Sequence, residues 1–136
     1  NDNQWLVSNL RDSNCYERTM LLGRRDDIPS AMNGFDVFIL SSSSEAFPNV
    51  LNEAMACGVP CVSTNVGDAA LIVGDTGWIV PPKDTVSLAN AISLAYDEWK
   101  FQPEVWLARK NKCRTRIIEN FSIQKMVDSY KNVWFS

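Results

Sequence analysis

Glu45 and Glu53 are the side chains in this sequence whose type and spacing best suit chemistry. They flank the run Ala46-Phe47-Pro48-Asn49-Val50-Leu51-Asn52, which passes from a serine-rich loop into a helical pattern. On that helix Val50, Leu51, Ala54 and Met55 fall on one face, and Asn49, Asn52, Glu53 and Ala56 on the other. Asn49 and Glu53 are four apart and stack on one side. A helix N-terminus favours anions through its free amides and its dipole, so phosphate can be held there without a basic side chain. The amides of Asn49, Val50 and Leu51 are the candidates. A diphosphate docked there would have a carboxylate near each end, and carboxylates accept hydrogen bonds from hydroxyl groups such as those of a sugar ring and a ribose. Neither glutamate need act as an acid or base. The plain alternatives stay open: Glu45 as a solvated loop acid or a charge favoured near a helix start, Glu53 as an exposed helix residue.

The elements around this segment alternate. Residues 3–11 read as a helix end with Trp5, Leu6 and Leu10 on one side. Thr19 to Gly23 reads as a short strand closed by glycine. Asp27 to Met32 reads as a short helix with Asp27 near its cap and Pro29 in its first turn, ended by Asn33-Gly34. Phe35 to Leu40 is apolar almost throughout, as a strand covered on both faces would be. The helix from about Pro48 to Cys57 has proline at its first position and Gly58 as its stop. Residues 59–64 and 78–80 read as further strands. After Pro82 the pattern is helical only: 85–98 capped by Asp84, then 103–120, then 122–134 capped by Ser122.

This order predicts an α/β fold, a parallel sheet with right-handed crossovers and flanking helices. About four strands are visible, fewer than a doubly wound sheet normally carries, so a truncated Rossmann-like sheet is expected. Ligands of such sheets bind beyond the carboxyl ends of the strands, where Ser41 to Asn49 lies.

Composition narrows the field. The 136 residues carry a net charge of −3 and no histidine, and the isoelectric point near 4.9 argues against a broad basic nucleic-acid footprint. The absence of histidine removes the commonest general base and metal ligand. The four cysteines, Cys15, Cys57, Cys61 and Cys113, form no C-x-x-C, and Cys57 and Cys61 read as small buried hydrophobes in a reducing, cytoplasmic setting. No apolar run approaches the roughly 20 residues of a membrane span.

Ser44 to Thr64 closely resembles the signature of the retaining GT-B glycosyltransferases called glycosyl transferase group one, or family four. The hallmark there is a glutamate, seven residues and a second glutamate, here Glu45 and Glu53. Leu22-Gly23-Arg24-Arg25-Asp26-Asp27-Ile28-Pro29 looks like the family's strand and turn before its donor loop. Gly74 to Pro82 looks like its TG-hydrophobic-PP segment, and Phe121-Ser122 fits the approach to its last helix. The resemblance covers nearly the whole chain. It implies that residues 1–136 are part of a C-terminal nucleotide-sugar (donor) binding domain of a GT-B fold, including C-terminal helices over 84–136. It implies Glu45 as the catalytic-site sugar ligand, Glu53 as the ribose ligand, and Phe47, Asn49, Val50 and Leu51 as donor contacts. Arg24 falls in the base-binding loop, with a solvated turn charge as its plain alternative. Ala46 and Pro48 stand where glycines are frequent, and Asn65-Val66-Gly67-Asp68 matches the usual glycine pair loosely.

The implied activity is retaining transfer of a sugar from a UDP- or GDP-sugar to a glycan or lipid-linked acceptor. No cofactor and no metal are implied. The acceptor would be held by an N-terminal domain, and a basic Arg/Lys pair on the diphosphate would lie upstream, so this stretch alone should not transfer sugar. A nucleotide-sugar epimerase of related fold and a non-enzymatic α/β binding module are the alternatives. Trp99, Trp106, Phe121, Tyr130 and Trp134 read as core or interdomain packing, with Val127, Tyr130, Val133 and Trp134 expected to be partly exposed. Arg109, Lys110, Lys112, Arg114 and Arg116 read as a solvated helix face. Contact with an anionic membrane at its cytoplasmic side is the alternative, making the intact enzyme a peripheral membrane protein.

Overall fold

The computed structural model describes residues 3–135. In chain order the elements are α1 (Gln4–Asp12), a 3-10 turn (Tyr16–Arg18), α2 (Ile28–Asn33), β1 (Phe38–Leu40), α3 (Asn49–Ala56), β2 (Cys61–Thr64), α4 (Ala69–Val73), β3 (Trp78–Val80), α5 (Thr85–Phe101), α6 (Pro103–Phe121) and α7 (Ile123–Trp134). The three strands form one parallel sheet in the order β1-β2-β3. Ile39 pairs with Val62, and Val62 with Trp78. Helices α3 and α4 make the two crossovers, as parallel strands require.

Successive residues of β2 point to opposite faces, and each face is covered. Cys61 joins Met32, Leu51, Met55, Ile72, Val73, Cys113 and Ile117, which come from α2, α3, α4 and α6. Val62 joins Val80, Ala91 and Ala95 under α5. All four β2 residues are buried, the polar Ser63 and Thr64 included, as expected of a central strand covered on both faces. Burial also pushes the thiols of Cys61 and Cys113 up from the ordinary cysteine value. Cys57 is half-buried and Cys15 exposed, and all four thiols are free.

Several sequence signals act as expected. Asp84 accepts from the Ser87 amide at 2.9 Å and opens α5, and Ser122 accepts from the Lys125 amide at 3.3 Å and opens α7. At the end of α3 the Gly58 amide donates to Met55 O at 2.9 Å and the Val59 amide to Ala54 O at 3.0 Å, the Schellman pair that closes a helix.

Three expectations are corrected. Thr19 to Gly23 forms no strand, and Met20 is 81% exposed. An apolar run becomes a strand only when a neighbouring edge satisfies its backbone, and among the described residues β1 pairs with β2 alone. Pro48 precedes α3 as its N-cap rather than occupying its first position. Val50 is 36% exposed whereas Leu51, Ala54 and Met55 are fully buried, so the packed stripe of α3 is narrower than the apolar arc of its sequence. One short helix, α4, was not expected at all. In α7, Tyr130 and Trp134 are exposed and meet each other at 6.1 Å between ring centroids. Val133 is likewise exposed, and Val127 is half-buried.

Candidate donor site at the carboxyl ends of the strands

The loop after β1 is held by bonds from β2 and from the loop that follows β2. The Thr64 hydroxyl, at the end of β2, donates to Ser42 O at 2.7 Å and lies 3.4 Å from Leu40 O. The Ser42 hydroxyl in turn donates to Glu45 Oε1 at 2.8 Å. The loop after β2 closes from the far side, with the Asp68 amide donating to Ala46 O at 3.1 Å. The Asn65 amide donates to Val80 O at 2.7 Å, tying in the end of β3. Gly67 is the close approach: a Cβ there would stand 2.1 Å from Ala46 O and 2.5 Å from Glu45 O, at a φ of +50°.

Glu45 and Glu53 are both exposed, one on this braced loop and one on the first two turns of α3. Pro48 has φ −76° and ψ 84°, and the Asn49 amide donates to Phe47 O at 2.9 Å, an inverse γ-turn that aims the chain into α3. The Leu51 amide donates to Pro48 O at 3.0 Å. Of the three candidate amides, Asn49 and Leu51 are therefore engaged in this turn. Val50 makes no such turn bond among the described residues. Arg24 stands apart: its side chain is 93% exposed and its ion pair is with Asp26, at 3.8 Å. The structure thus gathers Glu45, Phe47, Asn49, Val50, Leu51 and Glu53 at one strand-to-helix junction and gives Arg24 no bond to it.

The first 98 residues match the family model described as glycosyl transferases group 1. The chain belongs to that family. Over 133 residues it is 35% identical to the N-acetyl-alpha-D-glucosaminyl L-malate synthase of Bacillus anthracis, covering 96% of this chain and 33% of that protein. It is 33% identical over 125 residues to the UDP-Gal:alpha-D-GlcNAc-diphosphoundecaprenol alpha-1,3-galactosyltransferase of Escherichia coli, covering 90% of this chain and 31% of that one. Among solved structures, Anabaena Alr3699/HepE in complex with UDP superimposes with a TM-score of 0.72 at 26% identity, over 93% of this chain and 36% of that one. The chain spans about a third of the length of the curated relatives it matches. The open parallel α/β sheet with flanking helices is the architecture shared with GT-B glycosyltransferases.

In this group 1 glycosyltransferase chain the basic cluster of α6 is a partly solvated face, with Lys112 and Arg114 exposed, on which four of the five cations find partners. Arg109 forms a two-pronged pair with Glu98, at 2.6 and 2.7 Å, and its guanidinium lies 4.4 Å from the Trp78 ring centre. The Glu98 carboxylate bond raises the Arg109 pKa. Lys112 reaches Asp75 at 2.6 Å and holds that carboxyl below its ordinary range. Arg114 donates to Ala56 O at 3.2 Å, and Arg116 donates to Ile72 O at 2.8 Å and Leu71 O at 2.6 Å. These cations fasten α6 to α5, to the segment after α4 and to the ends of α3 and α4, where helix carbonyls favour positive charge.

Sequence reasoning passed over Ser42, Thr64 and Gly67 as parts of the site. The Asn65 to Asp68 segment carried a signal, a glycine just past a strand, but the bond from Thr64 spans 22 residues and has no local signature. Thr64→Val keeps the side chain's outline and removes the donor that holds the loop. The expected loss is about 1–2 kcal/mol of stability, read as a lower urea midpoint with an unchanged slope. An unchanged midpoint would show that Thr64 does not hold the loop.

Proposed function

We propose that this chain is the donor-binding part of an enzyme that transfers a sugar from a nucleotide-diphospho-sugar to a hydroxyl of a glycan or lipid-linked acceptor, with retention of configuration. The observation that carries the reading is the junction itself: two exposed carboxylates, Glu45 and Glu53, on either side of a helix N-terminus at the carboxyl end of a parallel sheet. Glu45 accepts hydroxyls of the transferred sugar and Glu53 those of the ribose. The diphosphate lies toward the start of α3, where the Val50 amide and the positive end of the helix dipole face it. Catalysis rests on stabilising the leaving diphosphate and on holding the two substrates in line. Phe47 and Asn49 shape the turn between sugar and phosphate, and Arg24 lies in the loop assigned to the base. The reading assigns no metal and a cytoplasmic location. Two comparisons support it: one related structure is a complex with UDP, and one relative is named for a UDP-Gal donor and a diphosphoundecaprenol acceptor.

The test is calorimetry of UDP binding to the full-length protein and to its Glu53→Ala variant. Hydrogen bonds to a charged acceptor contribute about 1.5–3 kcal/mol, so affinity should fall about 10-fold to 100-fold. Unchanged affinity would sink the ribose assignment.

A further inference from the structure

Four serines follow β1, Ser41 to Ser44, and composition does not tell them apart. The fold separates them: Ser42 is half-buried, while Ser41, Ser43 and Ser44 are exposed. Among the described residues Ser42 is also the one of the four whose hydroxyl makes a hydrogen bond, to Glu45 Oε1 at 2.8 Å. Its carbonyl accepts from the Thr64 hydroxyl at 2.7 Å, and Thr64 is buried at the end of β2. Ser42 therefore joins a buried strand end to an exposed carboxylate.

Little else holds the Glu45 side chain. No cation pairs with it among the described residues, and its Oε2 accepts no hydrogen bond from them. Its backbone is fixed from the other side, where Gly67 passes so close that a Cβ would meet Glu45 O at 2.5 Å. A free glutamate on a surface samples many rotamers, and a ligand that needs one of them bears the cost of ordering it. One hydrogen bond to Oε1 removes much of that freedom in advance. It also leaves Oε2 to accept from a ligand hydroxyl. A sugar seated over the pair would exclude water and strengthen the bond already there.

We infer that Ser42 is a positioning residue for the transferred sugar: it orders Glu45, presents one carboxylate oxygen to a sugar hydroxyl, and takes no part in holding the nucleotide. The inference rests on the donor reading of Glu45, while the chain of bonds from Thr64 through Ser42 to Glu45 does not. Its consequence is selective. Loss of the Ser42 hydroxyl weakens a nucleotide-sugar and spares the nucleotide. A residue needed only to keep the loop in shape would disturb both, because the loop runs directly into the start of α3.

The test compares UDP with UDP-glucose, UDP-galactose and UDP-N-acetylglucosamine by calorimetry. It uses the full-length protein, its Ser42→Ala variant and its Ser42→Thr variant, which keeps the hydroxyl. Ser42→Ala should bind UDP as the wild type does and bind the preferred nucleotide-sugar about 3–10-fold more weakly. Ser42→Thr should recover most of that loss. Without any ligand, the side-chain J couplings of Glu45 should report one rotamer in the wild type and averaging in Ser42→Ala. The proposal is overturned if Ser42→Ala weakens UDP and the nucleotide-sugar alike, if it weakens neither, or if the wild-type couplings are already averaged. The wild-type couplings decide on their own should Ser42→Ala fail to fold. Failure of UDP to bind the wild type would instead count against the donor reading, and the couplings would still decide whether Ser42 orders Glu45.

Discussion

Replacing Gly67 with alanine is expected to leave the sheet folded and to lower kcat/KM for sugar transfer by on the order of 100-fold. The added methyl group has no room: it would stand 2.1 Å from Ala46 O and 2.5 Å from Glu45 O, both backbone atoms of the loop that carries the candidate sugar ligand. The φ of +50° adds strain of about 1–2 kcal/mol for a residue with a side chain. Either the loop after β2 or the loop after β1 must move, and the Asp68-to-Ala46 hydrogen bond is lost with the displacement. The clash falls on loop backbone atoms and on no residue of the two core clusters, so a thermal melt should still show one cooperative transition. Circular dichroism and steady-state kinetics on the full-length protein check the two halves of this prediction. Near wild-type kinetics would mean that the position of the Glu45 loop does not limit the reaction.

Leu51→Ala should have the largest effect on stability. Leu51 is fully buried among residues of α2, α3, α4 and α6. Truncating such a leucine removes its burial and leaves a cavity, at a cost of about 3–5 kcal/mol. Against a usual total of about 5–15 kcal/mol this is a large share, and Tm should fall by roughly 10 °C or more. Val50→Ala, one residue earlier, should cost less than about 1 kcal/mol, because Val50 is already 36% exposed. Calorimetric melts of the two variants read the rotation of α3 directly. Equal losses at both positions would show that the buried stripe is wider than the structure has it.

Much of the fold was legible in the sequence, and the exceptions share a physical cause. Asp84, Pro103 and Ser122 mark helix starts through their own local chemistry, and the long helices that follow repeat their pattern several times. The strands at 38–40 and 61–64 stand out because both faces of the sheet are covered. Thr19 to Gly23 is likewise a short apolar run, but pairing is a property of a second segment, and no local pattern reveals whether one is there. Helix α4 is five residues long, too short for a periodicity to repeat. The glutamate pair of the site was legible from its spacing around a helix start. Its braces were not, because Thr64 and Gly67 act through backbone atoms of a loop some 20 residues earlier in the chain. The cations of α6 read as a solvated face, which Lys112 and Arg114 remain in part, but their partners, carbonyls and carboxylates of distant elements, have no local signature.

The Arg116 clamp bears on how the site comes apart. A helix as short as α4 has little stability of its own, and its last carbonyls are held by a guanidinium from α6. Opening α6 therefore releases α4, and with α4 goes the preceding loop that presses Gly67 against Ala46. These pieces form one cooperative unit in the sense of native-state hydrogen exchange. The amides of residues 66–73 would exchange at the rate of a 19-residue helix rather than at that of a surface loop. A loop supported in this way keeps its shape because the most distant helix in its support must unfold before it can relax.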